Sequence, residues 1–431
     1  MQIQMVIWFV MVSAVLFGGY SYLSWRLIKP ARLSKGWKWT ARIALAALLV
    51  IPVTTSILQR SGAEQMLGPL VWVAYVGLGL LSSVFTFVLL RDIVWMIVRL
   101  GKNIVSMLRR LGTAKQVAAE ASADPSRESA RAANPPVDEK RRLLLVNVMN
   151  AGILGVASTM TAYGVYEARR RPAVVEVDVP ITHLPPDLEG FRIVQLSDIH
   201  VGLTVKQDFV ETIAGMADEL RGDMLVITGD LADGSVRHLR NDVAPLGRIR
   251  APHGRFFVTG NHEYYSGHEQ WIEEADRLGY SVLVNGHQLV EKGSGRLLVA
   301  GVTDYSGGRF SPEHESDAAR AVAGAPAADT RILLAHQPRS LYNALPHGFD
   351  LQLSGHTHGG QFFPWNLLAP IGQPYLTGLN KHDNTWVYVS RGTGYWGPPV
   401  RIAARSEITV LRLVAAHRPT LTPALSRSGR G

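Results

Sequence analysis

The 431-residue sequence contains no cysteine. That excludes a disulfide framework and a thiolate zinc site, and leaves His, Asp, Asn and Glu to hold any metal. Charge is also scarce: Asp, Glu, Lys and Arg make up 18% of the chain against 47% hydrophobic residues, and the mean hydropathy is +0.08. Soluble domains carry more charge than this, so part of the chain is expected in lipid. The basic excess, net +9, clusters beside apolar stretches, as Lys and Arg do at cytoplasmic membrane flanks. This distribution points away from a nucleic-acid partner.

Four stretches carry no charge at all: residues 3–23, 43–58 (with Pro52 inside), 66–90 and 143–166. At ~1.5 Å rise per residue, about twenty such residues cross a ~30 Å hydrocarbon core, so each is read as a membrane span. Arg26, Lys29, Arg32, Lys35, Lys38 and Arg42 crowd the first loop, whereas Arg60 stands alone in the second. The charge rule therefore puts the first loop in the cytoplasm and the second outside. Arg91, Arg99, Lys102, Arg109, Arg110 and Lys115 return the chain to the cytoplasm, with an interface-lying helix predicted to about residue 111. Residues 112–142 read as a flexible linker.

Lys140-Arg141-Arg142 before Leu143-Leu144-Leu145 resembles a twin-arginine export signal, which makes 143–171 a fourth span or an export-signal-like helix. The domain that follows, 172–414, is then expected on the extracytoplasmic side of a bacterial-type inner membrane. Arg169, Arg170 and Arg171 favour the cytoplasmic face instead. The tail 415–431 is expected to be disordered.

From residue 191 the texture changes. Short apolar runs at 191–196, 224–228, 255–259, 297–302, 332–335, 351–353 and 386–390 read as buried strands, alternating with helical patterns at 206–220 and 268–278. The class is α/β, several layers deep. Its polar signatures fall just past the strand ends, where open α/β sheets place their sites. Five motifs occur in order: Asp198-Ile199-His200; Gly229-Asp230-Leu231-Ala232-Asp233; Gly260-Asn261-His262-Glu263; His336; and Gly355-His356-Thr357-His358. Carboxylate, imidazole and amide oxygen without sulfur suit Mn, Fe or Zn at a hydrolytic site. Any one motif alone is an ordinary loop; five in order, each at a predicted strand end, are not.

In this pattern the chain resembles the calcineurin-like metallophosphoesterase superfamily over roughly residues 191–410. The resemblance implies a multilayer α/β/β/α sandwich preceded by an α-helical transmembrane region. It also implies two divalent metal ions, one bound by Asp198, His200, Asp230 and His358, the other by Asp230, Asn261, His336 and His356. His262 then faces the substrate as general acid, while Asp233 and Glu263 are expected to fix imidazole tautomers. Two such metals, ~3.5–4 Å apart, activate water and clamp phosphate oxygens.

The apolar N-terminal segments and the run Gly392-Thr393-Gly394-Tyr395-Trp396-Gly397-Pro398-Pro399-Val400-Arg401 resemble the bacterial membrane-associated branch. That branch includes phosphodiesterases similar to the UDP-2,3-diacylglucosamine pyrophosphatases of lipid A synthesis. It implies hydrolysis of a phosphodiester or pyrophosphate in a lipid-linked or nucleotide-sugar lipid substrate. Tyr264, Tyr265, Trp365, Tyr375, Tyr395 and Trp396 are the aromatics near the motifs; they read first as packing beneath the loops, with contact to an acyl chain or sugar ring as the alternative. A different class is also open: a membrane-embedded sensor or scaffold that binds phosphorylated ligand without turnover.

Overall fold

A computed structural model describes residues 2–58, 68–120 and 139–416. The external loop expected at 59–65, most of the predicted linker and all but two residues of the predicted tail lie outside the described residues. The chain divides into two units, Met1–Thr55 with Val73–Ala162, and Ser56–Trp72 with Tyr163–Gly431.

Helices α1 (Gln2–Leu23), α2 (Lys35–Leu58), α3 (Gly68–Glu120) and α4 (Glu139–Arg169) come first in the chain. Among the described residues, Lys35–Thr54, Gly68–Arg109 and Leu143–Arg169 are long and apolar enough to cross a membrane. The third span and the predicted interface helix form one 53-residue helix, about 80 Å long by its rise. Residues 91–111 hold no proline and one glycine, Gly101, so nothing in them stops the helix.

Leu23, Ile28, Leu45, Val84, Val88 and Ala157 form the apolar centre of the first unit. Gly77 lets α2 approach α3 closely, since a Cβ there would lie 2.4 Å from a methyl of Leu48. A polar knot ties three of these helices. Asp92 accepts from Tyr22 Oη at 2.6 Å and pairs with Arg26 at 2.5 Å and Arg91 at 2.9 Å, and Arg91 also reaches Asn150.

The second unit holds twelve described strands. In chain order, β1 (Ala173–Ile181), β2 (Arg192–Leu196), β3 (Met224–Thr228), β4 (Arg255–Val258) and β5 (Ser281–Val282) belong to one sheet. The next six, β6 (Gly286–Lys292), β7 (Gly295–Gly301), β8 (Thr330–Leu334), β9 (Leu351–Ser354), β10 (Gly378–His382) and β11 (Thr385–Val389), form the other. Last, β12 (Glu407–Ala415) returns to the first sheet, giving the orders β1-β12-β2-β3-β4-β5 and β10-β11-β9-β8-β7-β6. Strands β2 through β5 run parallel, as do β7, β8, β9 and β11.

The seven sequence-predicted strands match β2, β3, β4, β7, β8, β9 and β11 to within about two residues at each end. The layers follow from side-chain alternation along each strand. Ile193, Val226, Phe256 and Val258 of the first sheet pack with Leu297, Val299, Ile332, Leu334 and Leu353 of the second, so the sheets stack face to face. Val194, Leu196, Leu225, Ile227 and Phe257 point the other way, onto α5 (Gln207–Glu219), α6 (Val236–Val243) and the helix His268–Arg277. Ala300, Val302, Leu333 and Ala335 pack with Ala318, Ala321 and Ala344 on the outer side of the second sheet. The result is the expected α/β/β/α sandwich.

Trp271, fully buried in the helix His268–Arg277, fills this core and donates from Nε1 to Gly234 O at 2.9 Å. Trp271→Ala should lower stability by about 3–5 kcal/mol. Chemical denaturation of the detergent-purified chain checks this, with Trp271→Phe, which keeps a ring but loses the donor, falling between the two.

Candidate metal centre

The site is built at the carboxyl ends of parallel strands. Asp198 stands two residues past β2, Asp230 two past β3, Asn261 three past β4, His336 two past β8 and His356 two past β9. These short turns force the backbone: Asp198, His200, Asp230, His356 and His358 all adopt positive φ, between 51° and 71°. Asp and His tolerate this region better than most residues, yet each such residue costs of order 1–3 kcal/mol and persists only where the surrounding structure holds it. Gly260 and Gly355 permit the closest approaches, because a Cβ on either would come within 2.2 Å of the carboxylate of Asp230 or Asp198.

Three groups of ligand-type atoms converge among the described residues: Asp198, His200 and His358; Asp230, His336 and His356; and His200, Asp233 and His262, with the donor atoms of each group within 4.8 Å of one another. In the first, His200 Nε2 and His358 Nε2 face each other at 3.0 Å, and Asp198 Oδ1 lies 3.5 Å from His358 Nε2. In the second, His336 Nε2 is 3.1 Å from Asp230 Oδ2 and 3.2 Å from His356 Nδ1. Asp230 Oδ2 also lies 3.7 Å from His200 Nε2, so it reaches toward the first group as well as its own. Asn261 Oδ1 is buried and has no hydrogen-bond partner.

Ring nitrogens turned outward are held by polar partners. His336 Nδ1 meets Thr228 O at 2.8 Å, and His200 Nδ1 meets Asp233 Oδ1 at 2.9 Å, which leaves each Nε2 directed inward. An orphaned amide oxygen, buried carboxylates and inward imidazole nitrogens are a donor set that fits divalent cations of the Mn, Fe or Zn kind.

His262 sits beside this set. Its Nδ1 is 2.6 Å from Asp233 Oδ1, its Nε2 is 4.0 Å from Asp230 Oδ2, and its ring meets Tyr265 and Trp396 edge-on at 5.2 and 5.7 Å. Burial alone would lower its pKa, but Asp233 and Asp230 outweigh burial and push it up to about 9. Burial likewise acts to raise Asp230, yet His336 and His262 hold it well below the usual carboxylate range. Asp198 is pushed up by burial. Burial and then His336 press His356 down to about 3. Such opposed shifts in one small volume are what converging buried carboxylates and imidazoles produce, and functional sites are rich in them.

Asp233 thus bridges two imidazoles, His200 and His262. Glu263 does something other than the tautomer-fixing expected of it. Its carboxylate accepts backbone N–H groups from Gly260 (2.7 Å), Asp230 (3.0 Å) and Leu231 (2.8 Å), binding the Asp230 turn to the start of α7 (Asn261–Ser266).

Arg401 closes the Gly392–Arg401 run and carries no local sequence signal of a role. It is fully buried and donates to the carbonyls of Gly394, Ala404 and Arg391, while Nη2 lies 3.1 Å from His358 Nδ1. Of the aromatics near the motifs, Tyr265 and Trp396 flank His262 and are half exposed, whereas Tyr264 and Tyr395 are buried. Tyr375 hydrogen-bonds His382 instead, and the side chain of Trp365 lies outside the described residues.

Residues 191–360 match the family model for calcineurin-like phosphoesterases. A "transmembrane protein with metallophosphoesterase domain" of Danio rerio is 40% identical over 269 residues, covering 61% of this chain and 62% of that one. An uncharacterized metallophosphoesterase of Helicobacter pylori is 38% identical over 64% of this chain and 74% of its own length. One from Bacillus subtilis is 29% identical over 64% of this chain and 98% of its own length. The match thus spans less than two thirds of the Danio rerio protein.

A Cβ at position 355 would meet Ser197 Oγ at 2.0 Å and Asp198 Oδ2 at 2.1 Å, whereas Gly215 on α5 has open space around it. Gly355→Ala should therefore weaken Mn binding by about 10–100-fold, while Gly215→Ala binds as the parent does. Isothermal titration of the metal-stripped chain distinguishes the two.

Proposed function

We propose, from the premise that this chain belongs to the calcineurin-like phosphoesterase family, that its second unit is a two-metal phosphodiesterase acting on a membrane amphiphile. The carrying observation is the pair of ligand groups with Asp230 between them and His262 alongside. The reading assigns Asp198, His200, Asp230 and His358 to one ion and Asp230, Asn261, His336 and His356 to the other. Bound there, two divalent cations would supply Lewis acidity toward phosphoryl oxygens and lower the pKa of an attacking water.

The chain's own residues do the rest. Asp233 accepts from His262 Nδ1, which leaves Nε2 to carry the proton given to the leaving oxygen. The same carboxylate orients His200, so the acid and one ligand share a single anchor. Asp233 and Asp230 favour the charged form of His262, the form a general acid needs before it acts. Trp396 and Tyr265 fix its ring from two sides and offer apolar contact to the departing group.

The substrate class rests on the candidate spans and the transmembrane relative. Together with the exposed aromatics beside His262, they favour a phosphodiester or pyrophosphate of a lipid-linked or nucleotide-sugar lipid. The reading keeps the domain on the extracytoplasmic face of a bacterial-type inner membrane, because residues 143–166 are taken to span from a basic cytoplasmic side; Arg169, Arg170 and Arg171 argue for the opposite face.

Hydrolysis of bis-p-nitrophenyl phosphate and of a UDP-diacylated sugar by the full chain in detergent, with and without Mn, tests the proposal. His262→Ala should keep its metal and lose about 10²–10⁴ in kcat, and Asp230→Asn should lose both metal and turnover. Full activity in Asp230→Asn would overturn the reading. Tight ligand binding with no turnover by the parent would leave a scaffold in its place.

A further inference from the structure

Directly after the last His-containing motif, the chain forms an apolar protrusion through the turn Trp365–Leu368 and the turn Ala369–Ile371. Leu367, Leu368 and Ile371 are 62%, 49% and 81% exposed, and Ile371 is the most exposed large apolar residue among those described. Single exposed apolar residues are ordinary; three within five positions on one protrusion are not.

The arms of this protrusion are pinned. On the near side Gln361 Nε2 donates to Trp396 O at 2.8 Å and Gln361 Oε1 accepts from Trp396 N at 3.0 Å. On the far side Thr357 Oγ1 donates to Leu376 O at 2.6 Å, and Gln373 joins Arg339 N and Gln337 at 3.0 and 3.1 Å. The exposed stretch is therefore tied at both ends to the segments that carry His336 and His358.

The residues around the far arm have the composition of a membrane interface. Tyr342 is 56% exposed and packs on His382, which Tyr375 hydrogen-bonds. Arg339 lies over the half-exposed ring of Tyr305 at 4.6 Å, and Lys381 is exposed, with Asp383 as the acidic residue close by. Apolar side chains at a tip, aromatic rings and basic groups behind it form the pattern by which proteins seat in a lipid surface with anionic headgroups. A chain that carries three helices able to cross a membrane brings such a surface with it at high effective concentration.

We infer that Leu367, Leu368 and Ile371 insert into the acyl boundary of the bilayer that anchors this chain. The protrusion docks the His336 and His358 segments on the lipid surface. This goes beyond the proposed activity and needs no turnover to be tested.

The absence of cysteine makes the test direct. Leu367→Cys, Ile371→Cys and the exposed control Ala327→Cys, each in the full chain, are labelled with bimane. The labelled chains are then reconstituted in phosphatidylcholine vesicles containing phosphatidylglycerol and doxyl lipids. Labels at 367 and 371 should be quenched at least two-fold more strongly than the label at 327. Equal quenching at all three positions would overturn the inference. So would a blue shift at 371 that follows protein-to-lipid ratio without doxyl quenching, since that would put a second copy of the chain on the tip.

Discussion

Two buried carboxylates, Asp198 and Asp230, set the terms for the interior of the domain. A charge taken out of water is costly unless it is met by other charges and by hydrogen bonds. Here each carboxylate is met by a backbone N–H from a distant loop: His356 N–H donates to Asp198 at 2.9 Å, and His262 N–H donates to Asp230 at 2.9 Å. Loops that start from different strands, in both sheets, are thereby sewn together by the groups that face the centre. The stacked apolar faces of the two sheets carry the stability, which lets the turns adopt left-handed conformations they would not hold alone.

Much of this architecture is legible in the sequence because parallel strands buried on both faces are nearly continuous apolar runs. Met224-Leu225-Val226-Ile227-Thr228 is such a run, and its end coincides with the turn that presents Asp230. Less visible is β1, whose Val-Glu-Val-Asp alternation exposes Asp178. That carboxylate finds its partner, Arg412, in β12, 234 residues later and at 2.7 Å. No local pattern announces a pairing of that separation. The polar strands β6 and β10 were missed for a related reason: one face of each is only partly covered, so the apolar signal is diluted.

At the centre itself, residue types and order were readable, but second contacts were not. Glu263 lies next to His262 in sequence, which suggests an imidazole partner. The helix that begins at Asn261 turns its carboxylate back onto the Asp230 turn instead. Arg401 reads as an ordinary solvated loop arginine. Its burial depends on carbonyls from Arg391, Gly394 and Ala404 converging on one guanidinium, a long-range coincidence of backbone that composition cannot display. Along α3 the change from uncharged to basic sequence at Arg91 reads as a boundary between a span and an interface helix, yet the helix runs on. A helix ends for backbone reasons, and none is present there.

The place of β12 has a consequence for how the domain comes into being. It lies between β1 and β2, pairing with both, although every loop that faces the centre precedes it in the chain. During synthesis all five motifs therefore emerge while the first sheet still lacks its internal strand, and β1 has nothing to pair with until the last strand arrives. Folding from the N-terminus can bring β2, β3 and β4 side by side, but closure waits on the β1–β12 pairing, the strand pairing with the greatest separation along the chain. A chain halted before residue 407 would hold all seven residues that face the centre and no finished first sheet to fix them, so their geometry is set only once β12 is in place.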